Sequence, residues 1–156
     1  MIDLRIGLGF DSHEFEAGKK LILGGVEIEY EYGLKGHSDG DALLHAITDA
    51  ILAAIGEKDI GEIFKDTDPR WKNAPSSIFL KKALELMKDK GFKIINLDCT
   101  IIADKPKIAP YKDEIKEKLS QLIGISKNRI SIKGKRREGF CKDNGLACMC
   151  VVLLVK

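Results

Sequence analysis

The chain has 156 residues, of which 44% are hydrophobic and 32% charged, with 26 Lys and Arg against 24 Asp and Glu. That size fits one ordinary domain spanning residues 1–156, and the apolar fraction is too high for a disordered chain. A formal net charge of +2 provides no global field for nucleic acid or an acidic membrane, so neither is expected as a partner. The opening MIDLRIGLGFDSHEF has no basic stretch followed by an apolar run and a small-residue cleavage site, so no secretory signal is expected. The longest apolar run, VVLLV at 151–155, has strand length and falls far short of the roughly 18 residues of a membrane span. Cys99, Cys141, Cys148 and Cys150 form no C-x-x-C pair, which argues against a four-thiolate zinc site. They read as reduced thiols packed as small apolar groups, and the expected compartment is the cytoplasm.

In chain order, IDLRIGLGF at 2–10 alternates as a strand, and KLILGGVEIEY at 20–30 reads as a second strand with a Gly-Gly bulge or hairpin corner. GLKGHSDGD at 33–41 is a glycine-rich loop, and ALLHAITDAILAAI at 42–55 is a strong helix closed by Gly56. DIGEIFKDTDPRW at 59–71 predicts a short helical turn and an acidic loop, and SSIFLKKALELMKDKG at 76–91 an amphipathic helix with a Ser start and a Gly stop. KIINLDCTIIA at 93–103 is a long strand, DKPKIAPY at 104–111 a proline-rich loop, and KDEIKEKLSQLIG at 112–124 another amphipathic helix. RISIKGKR at 129–136 and LACMCVVLLVK at 146–156 supply the last strands, separated by the polar loop REGFCKDNG. The predicted order β-β-α-α-β-α-β-β gives an α/β (α+β) fold, a single sheet covered on one face by helices. The last strand is apolar on both faces, so its second face is expected to be buried in an oligomer.

All three histidines, His13, His37 and His45, fall in the first third of the chain beside acidic residues. Asp11-Ser12-His13 lies just past a predicted strand, and residues two apart in extended chain point the same way, so carboxylate and imidazole converge. The 42–55 helix is apolar nearly all round and therefore buried, except for His45, Thr48 and Asp49, with Asp41 just ahead on the same face. A polar stripe on a buried helix must be satisfied. A metal at His45, with Asp49 orienting it, satisfies the stripe. Oxygen and nitrogen donors together suit zinc, manganese or iron, and three protein ligands leave an open position for chemistry. Either element alone reads as an ordinary loop pair or a hydrogen-bonded core histidine, and the combination carries the argument.

Gly36-His37-Ser38-Asp39-Gly40-Asp41 leads straight into that helix. Its free N–H groups, with His37 and Ser38, suit phosphate oxygens, while Ser38, Asp39 or Asp41 also fits a plain N-cap. Here the sequence resembles a known family. GFDSH at 9–13, GHSDGDALLHAITDA at 36–50, DIGEIFKDTDP at 59–69 and IIADKPKIAPY at 101–111 look like the 2-C-methyl-D-erythritol 2,4-cyclodiphosphate synthases, and the likeness runs from first strand to last.

The resemblance implies an enzyme of the non-mevalonate isoprenoid route, a CMP-releasing phosphorus-oxygen lyase acting on a cytidine diphosphate substrate. It implies zinc, or manganese or another divalent cation, on Asp11, His13 and His45, and magnesium or manganese on the substrate diphosphate near Glu138. His37 and Ser38 match the loop that positions the phosphates, His37 in a catalytic role. Asp59 and Gly61 match residues holding the methylerythritol, and Phe64, Asp66 and Asp68 fall in the following substrate loop. Ala103 to Ala109 matches the cytidine pocket, with Lys107 meeting phosphate. The family is a homotrimer with active sites between subunits, so residues 135–140, including Phe140, or 103–107 are expected to reach a neighbour's metal site.

One stretch departs from the family. Gly134-Lys135-Arg136-Arg137 replaces a threonine-rich run, placing Arg136 where a threonine stabilises the transition state. The 138–145 loop is short, and Lys142 is the cation nearest to a family arginine of the central cavity. Two rival readings are a zinc hydrolase of nucleoside diphosphate compounds and a trimer that binds phosphorylated ligands without turnover.

Overall fold

A computed structural model describes residues 1–156. The strands are β1 (Leu4–Ala17), β2 (Leu21–Leu23), β3 (Val26–Ile28), β4 (Tyr32–Leu34), β5 (Lys93–Ile102), β6 (Ile130–Lys135) and β7 (Gly145–Val155). The helices are α1 (Ala42–Ala54), α2 (Ile60–Ile63), α3 (Ser77–Asp89) and α4 (Lys112–Ile123). Five strands form a sheet in the order β4-β1-β7-β5-β6, and β2 and β3 make a separate hairpin. Only the β5–β6 pair is parallel, α4 supplying its crossover. No helix is long and apolar enough to cross a membrane.

Helix α1 is the centre of the molecule because it has almost no polar face to turn outward. Ten of its thirteen residues are buried, and it packs on β1 and β7 with α3 alongside. The approach to β1 depends on two glycines: a Cβ at Gly7 would lie 1.8 Å from the Ala50 carbonyl oxygen, and one at Gly9 the same distance from that of Ala46. Their missing side chains let helix backbone rest directly on strand backbone. Asp41 caps α1, its Oδ1 accepting from Leu44 N at 2.9 Å. The same carboxylate accepts from Gly24 N at 2.9 Å and Gly25 N at 2.7 Å, tying the helix start to the β2–β3 turn. One contiguous cluster of 36 buried residues joins the hairpin, α1, α3, α4 and the inner sheet face.

Along β1 the inward side carries Gly7, Gly9, Asp11 and His13, and the outward side Leu4, Ile6, Leu8 and Phe10. The register sets Ile6 against Leu153, Leu8 against Val151 and Phe10 against Met149, so an exposed apolar ribbon runs across the uncovered face. Cys99, Cys148 and Cys150 face the opposite way, into the core, where burial pushes the Cys148 and Cys150 thiols well above the usual range.

Several local expectations change. Asp11 and His13 lie inside β1 rather than past its end, because the ladder with β7 continues through Asp11–Cys148 and His13–Leu146. Of the two forms expected for the 20–30 segment, the hairpin corner holds and the bulge does not, the chain folding at Gly24 and Gly25, both with positive φ. Part of the 33–41 loop is strand β4, pairing Leu34 with Phe15. Cys141 is exposed, unlike the other three cysteines.

Candidate metal centre

Strand β1 and helix α1 bring Asp11, His13 and His45 together. One ligand atom from each lies within 4.8 Å of the others. Asp11 Oδ2 stands 2.7 Å from His13 Nε2 and 3.2 Å from His45 Nδ1, so both rings point a nitrogen at one carboxylate oxygen. His13 is held from behind by Nδ1, which donates to the Lys35 carbonyl at 2.7 Å. Burial pushes the Asp11 carboxyl up, but the His13 and His45 rings beside it outweigh it and hold the group below its ordinary value. The bond to Asp11 raises His13. One oxygen and two nitrogens, half-buried and converging, are a donor set for a divalent cation.

The back of His45 is satisfied differently from the sequence expectation. Asp49 does not orient it: Asp49 Oδ1 accepts from Ile60 N at 2.8 Å, serving the start of α2. Thr48 donates to the Leu44 carbonyl at 2.7 Å, one turn back on its own helix. His45 Nε2 instead meets Ser76 Oγ at 2.8 Å and Ser38 Oγ at 3.3 Å. Sequence reasoning missed Ser76, which reads as a helix start yet makes no side-chain cap bond to α3.

The imidazoles open onto a cleft of about 280 Å³, lined also by His37, Ser38, Gly61, Phe64 and Asp66, with Trp71 and Phe79 as an aromatic wall. Phe64 and Phe79 lie 4.6 Å apart between ring centroids, and Phe79 lies 5.8 Å from the His45 ring. Asp59 caps α2 through Glu62 N at 2.8 Å, and Asp68 is paired with Arg70 at 2.6 Å while its carbonyl accepts from His37 Nε2 at 3.2 Å. Ala103, Lys107, Ala109 and Arg136 line a second cleft, of about 180 Å³, separate from the first. Phe140 lines a third, on the uncovered sheet face, with Phe10, His13 and Arg136. Glu138 is exposed, with φ at 52°, and lines none of these clefts.

Comparison with known proteins agrees with this geometry. Residues 4–155 match the model of the YgbB family. The 2-C-methyl-D-erythritol 2,4-cyclodiphosphate synthase of Aquifex aeolicus is 77% identical over 155 residues, covering 99% of both chains. A 2C-methyl-D-erythritol-2,4-cyclodiphosphate synthase solved in a CDP-bound form superposes with a TM-score of 0.90 at 41% identity, covering 96% of this chain and 99% of that one. The bifunctional IspDF of Campylobacter jejuni gives 0.95 at 38% identity, this chain covering 43% of that longer protein.

Proposed function

Because the chain belongs to the YgbB family of 2-C-methyl-D-erythritol 2,4-cyclodiphosphate synthases, we propose that it closes 4-diphosphocytidyl-2-C-methyl-D-erythritol 2-phosphate into the 2,4-cyclodiphosphate and expels CMP. It is a metal-dependent enzyme of isoprenoid precursor biosynthesis by the non-mevalonate route. The observation that carries the reading is the convergence of Asp11, His13 and His45 at the mouth of a cleft.

In this reaction an oxygen of the 2-phosphate attacks the β-phosphorus. The new P–O bond forms as the bond to the bridging oxygen breaks, and CMP leaves with that electron pair on its α-phosphate. No water is consumed and no protein nucleophile is needed, so catalysis is positioning and charge neutralisation. Asp11, His13 and His45 would hold a divalent cation, which we take to be zinc, and such an ion would supply Lewis-acid polarisation of a phosphate oxygen. Ser38, just ahead of α1, presents its hydroxyl to the phosphates, and His37, whose Nε2 N–H is held by the Asp68 carbonyl, flanks them. Gly61, Phe64 and Asp66 enclose the methylerythritol end, with Asp59 and Asp68 shaping that loop through their caps. Trp71 and Phe79 exclude water from the wall beside His45.

The cleft at Ala103, Lys107 and Ala109 suits cytidine, with Lys107 on phosphate and Arg136 supplying positive charge in the transition state. Glu138, with Phe140 on the same loop, would hold a second ion, magnesium or manganese, that neutralises diphosphate charge. These two clefts are separate in one protomer, and the outward ribbon of Ile6, Leu8, Phe10, Met149 and Val151 is exposed. Both observations support a homotrimer packed through that face, each site built from two subunits. One domain spanning the chain, working in the cytoplasm as a phosphorus-oxygen lyase, completes the proposal.

The test is product analysis by phosphorus NMR with purified protein, the cytidine diphosphate substrate and a divalent cation. Cyclic diphosphate plus CMP is expected. A linear monophosphate would mean a hydrolase, and no turnover would mean a binding protein.

A further inference from the structure

The polar contacts behind His45 assign a role that the reaction chemistry alone does not. Ser76 is fully buried, and its hydroxyl donates to Asp39 Oδ1 in a short hydrogen bond. Its backbone N–H donates to the other oxygen, Asp39 Oδ2, at 3.0 Å. Asp39 in turn is anchored at its own N–H by the Ala74 carbonyl, at 3.1 Å, and through Oδ1 by Asp41 N, also at 3.1 Å. The carboxylate thus takes both donors of Ser76 and fixes its hydroxyl direction.

A hydroxyl has one proton, and an ionised carboxylate only accepts. With that proton given to Asp39, the Ser76 oxygen offers His45 Nε2, 2.8 Å away, only a lone pair. The 2.8 Å contact to Ser76, shorter than the 3.3 Å contact of the same nitrogen to Ser38 Oγ, then forms as a hydrogen bond only with the hydrogen on Nε2, which leaves the lone pair of the ring on Nδ1. Nδ1 is the atom turned toward Asp11.

We propose that Ser76, held by Asp39, is a positioning residue that fixes the ring orientation and tautomer of His45 for metal binding. The inference rests on His45 being a metal ligand. A histidine ligand whose second nitrogen is fixed by a hydrogen bond loses about 10- to 100-fold in metal affinity when that partner is removed. Ser76 contributes no side-chain cap to its own helix, so its hydroxyl is spent on this relay.

The experiment strips the metal from the protein and titrates zinc against a chromophoric chelator, with cobalt(II) spectra recorded in parallel, for wild type, Ser76→Ala and Asp39→Asn. Weakening of zinc binding by about 10- to 100-fold in Ser76→Ala, with shifted cobalt d–d bands and an unchanged circular dichroism spectrum, is expected. Asp39→Asn, which keeps size and shape, should weaken it in the same direction and carries the test if Ser76→Ala does not fold. Wild-type zinc affinity and cobalt spectra in folded variants overturn the proposal. Turnover is measured separately on the wild type. A protein that binds zinc without releasing CMP sinks the synthase reading and leaves the relay to be judged by the titrations.

Discussion

Asp11 Oδ2 lies 3.2 Å from His45 Nδ1, although 34 residues separate them in the chain. The contact exists because β1 and α1 touch backbone to backbone. Gly9, one strand position pair before Asp11, faces the helix where Ala46, next to His45, presents its carbonyl. A packing feature of the strand therefore sets the geometry of the site.

Gly9→Ala tests that link. The added Cβ would fall 1.8 Å from the Ala46 carbonyl oxygen, an atom of helix backbone that cannot swing away. Overpacking of this kind costs about 1–3 kcal/mol, and more where backbone must shift. Chemical denaturation should show a loss of at least that size. Zinc stoichiometry should fall as well, because separating α1 from β1 separates His45 from Asp11. A variant as stable as wild type with full zinc content would mean that the close approach is not what positions the site.

His45→Ala removes one of the three donors while keeping a good helix former within α1. The expected outcome is a folded assembly that neither retains zinc nor releases CMP. Circular dichroism, metal analysis and CMP release check the three parts. CMP release by a metal-free variant would refute the catalytic assignment.

What the sequence made legible follows the physics of each segment. Helix α1 was readable because a thirteen-residue apolar stretch behind an acidic cap has few other solutions. The D-x-H spacing was readable because strand geometry turns alternate side chains to one side, even though the strand itself continues past it. Strand β4 was not, since its three residues include Gly33 and carry no alternation of their own. The assignment of Asp49 to His45 failed for a reason local periodicity cannot reveal: the start of α2, eleven residues on, presents an unpaired N–H at Ile60 that the carboxylate satisfies. Ser76 was invisible as a partner of His45 because the pairing depends on how the 73–76 segment folds back over the 37–39 loop.

Asp41 links stability to pH. Burial pushes its carboxyl up to about 6, from an ordinary 3.8, against the opposing effect of backbone donors at Leu44, Gly25 and Gly24. A raised carboxyl binds its proton more tightly in the folded state. Its contribution to stability is therefore full below the ordinary value and is lost as pH rises through about 6. Asp41→Asn does not titrate and turns an amide donor toward a backbone N–H, at a cost of about 1–3 kcal/mol. The stability advantage of wild type over this variant should shrink between pH 4.5 and pH 7 in urea denaturation, a window chosen to bracket that value. An advantage that grows with pH would show that the folded carboxyl is depressed instead.

Two adjacent arginines separate catalysis from structure in the departing segment. Arg137 is nearly buried, its side chain 8% exposed, and bridges Asp104 at 3.7 Å and Asp143 at 2.7 Å, so it joins the 103–109 loop to the 138–145 loop. Arg136 is exposed, makes no ion pair, and borders both the 103–109 cleft and the sheet-face cleft. Truncating an exposed, unpaired side chain moves stability by no more than about 0.5 kcal/mol. If Arg136 neutralises charge developing on the diphosphate, Arg136→Ala should still lower kcat by about 10²- to 10³-fold, with KM little changed, because the interaction strengthens only in the transition state. Steady-state CMP release over a range of substrate concentrations separates the two constants. Arg137→Ala should behave in the opposite sense, loosening the two loops and raising KM before it lowers kcat. Intact turnover in Arg136→Ala would leave the threonine position of the family without a functional replacement in this chain.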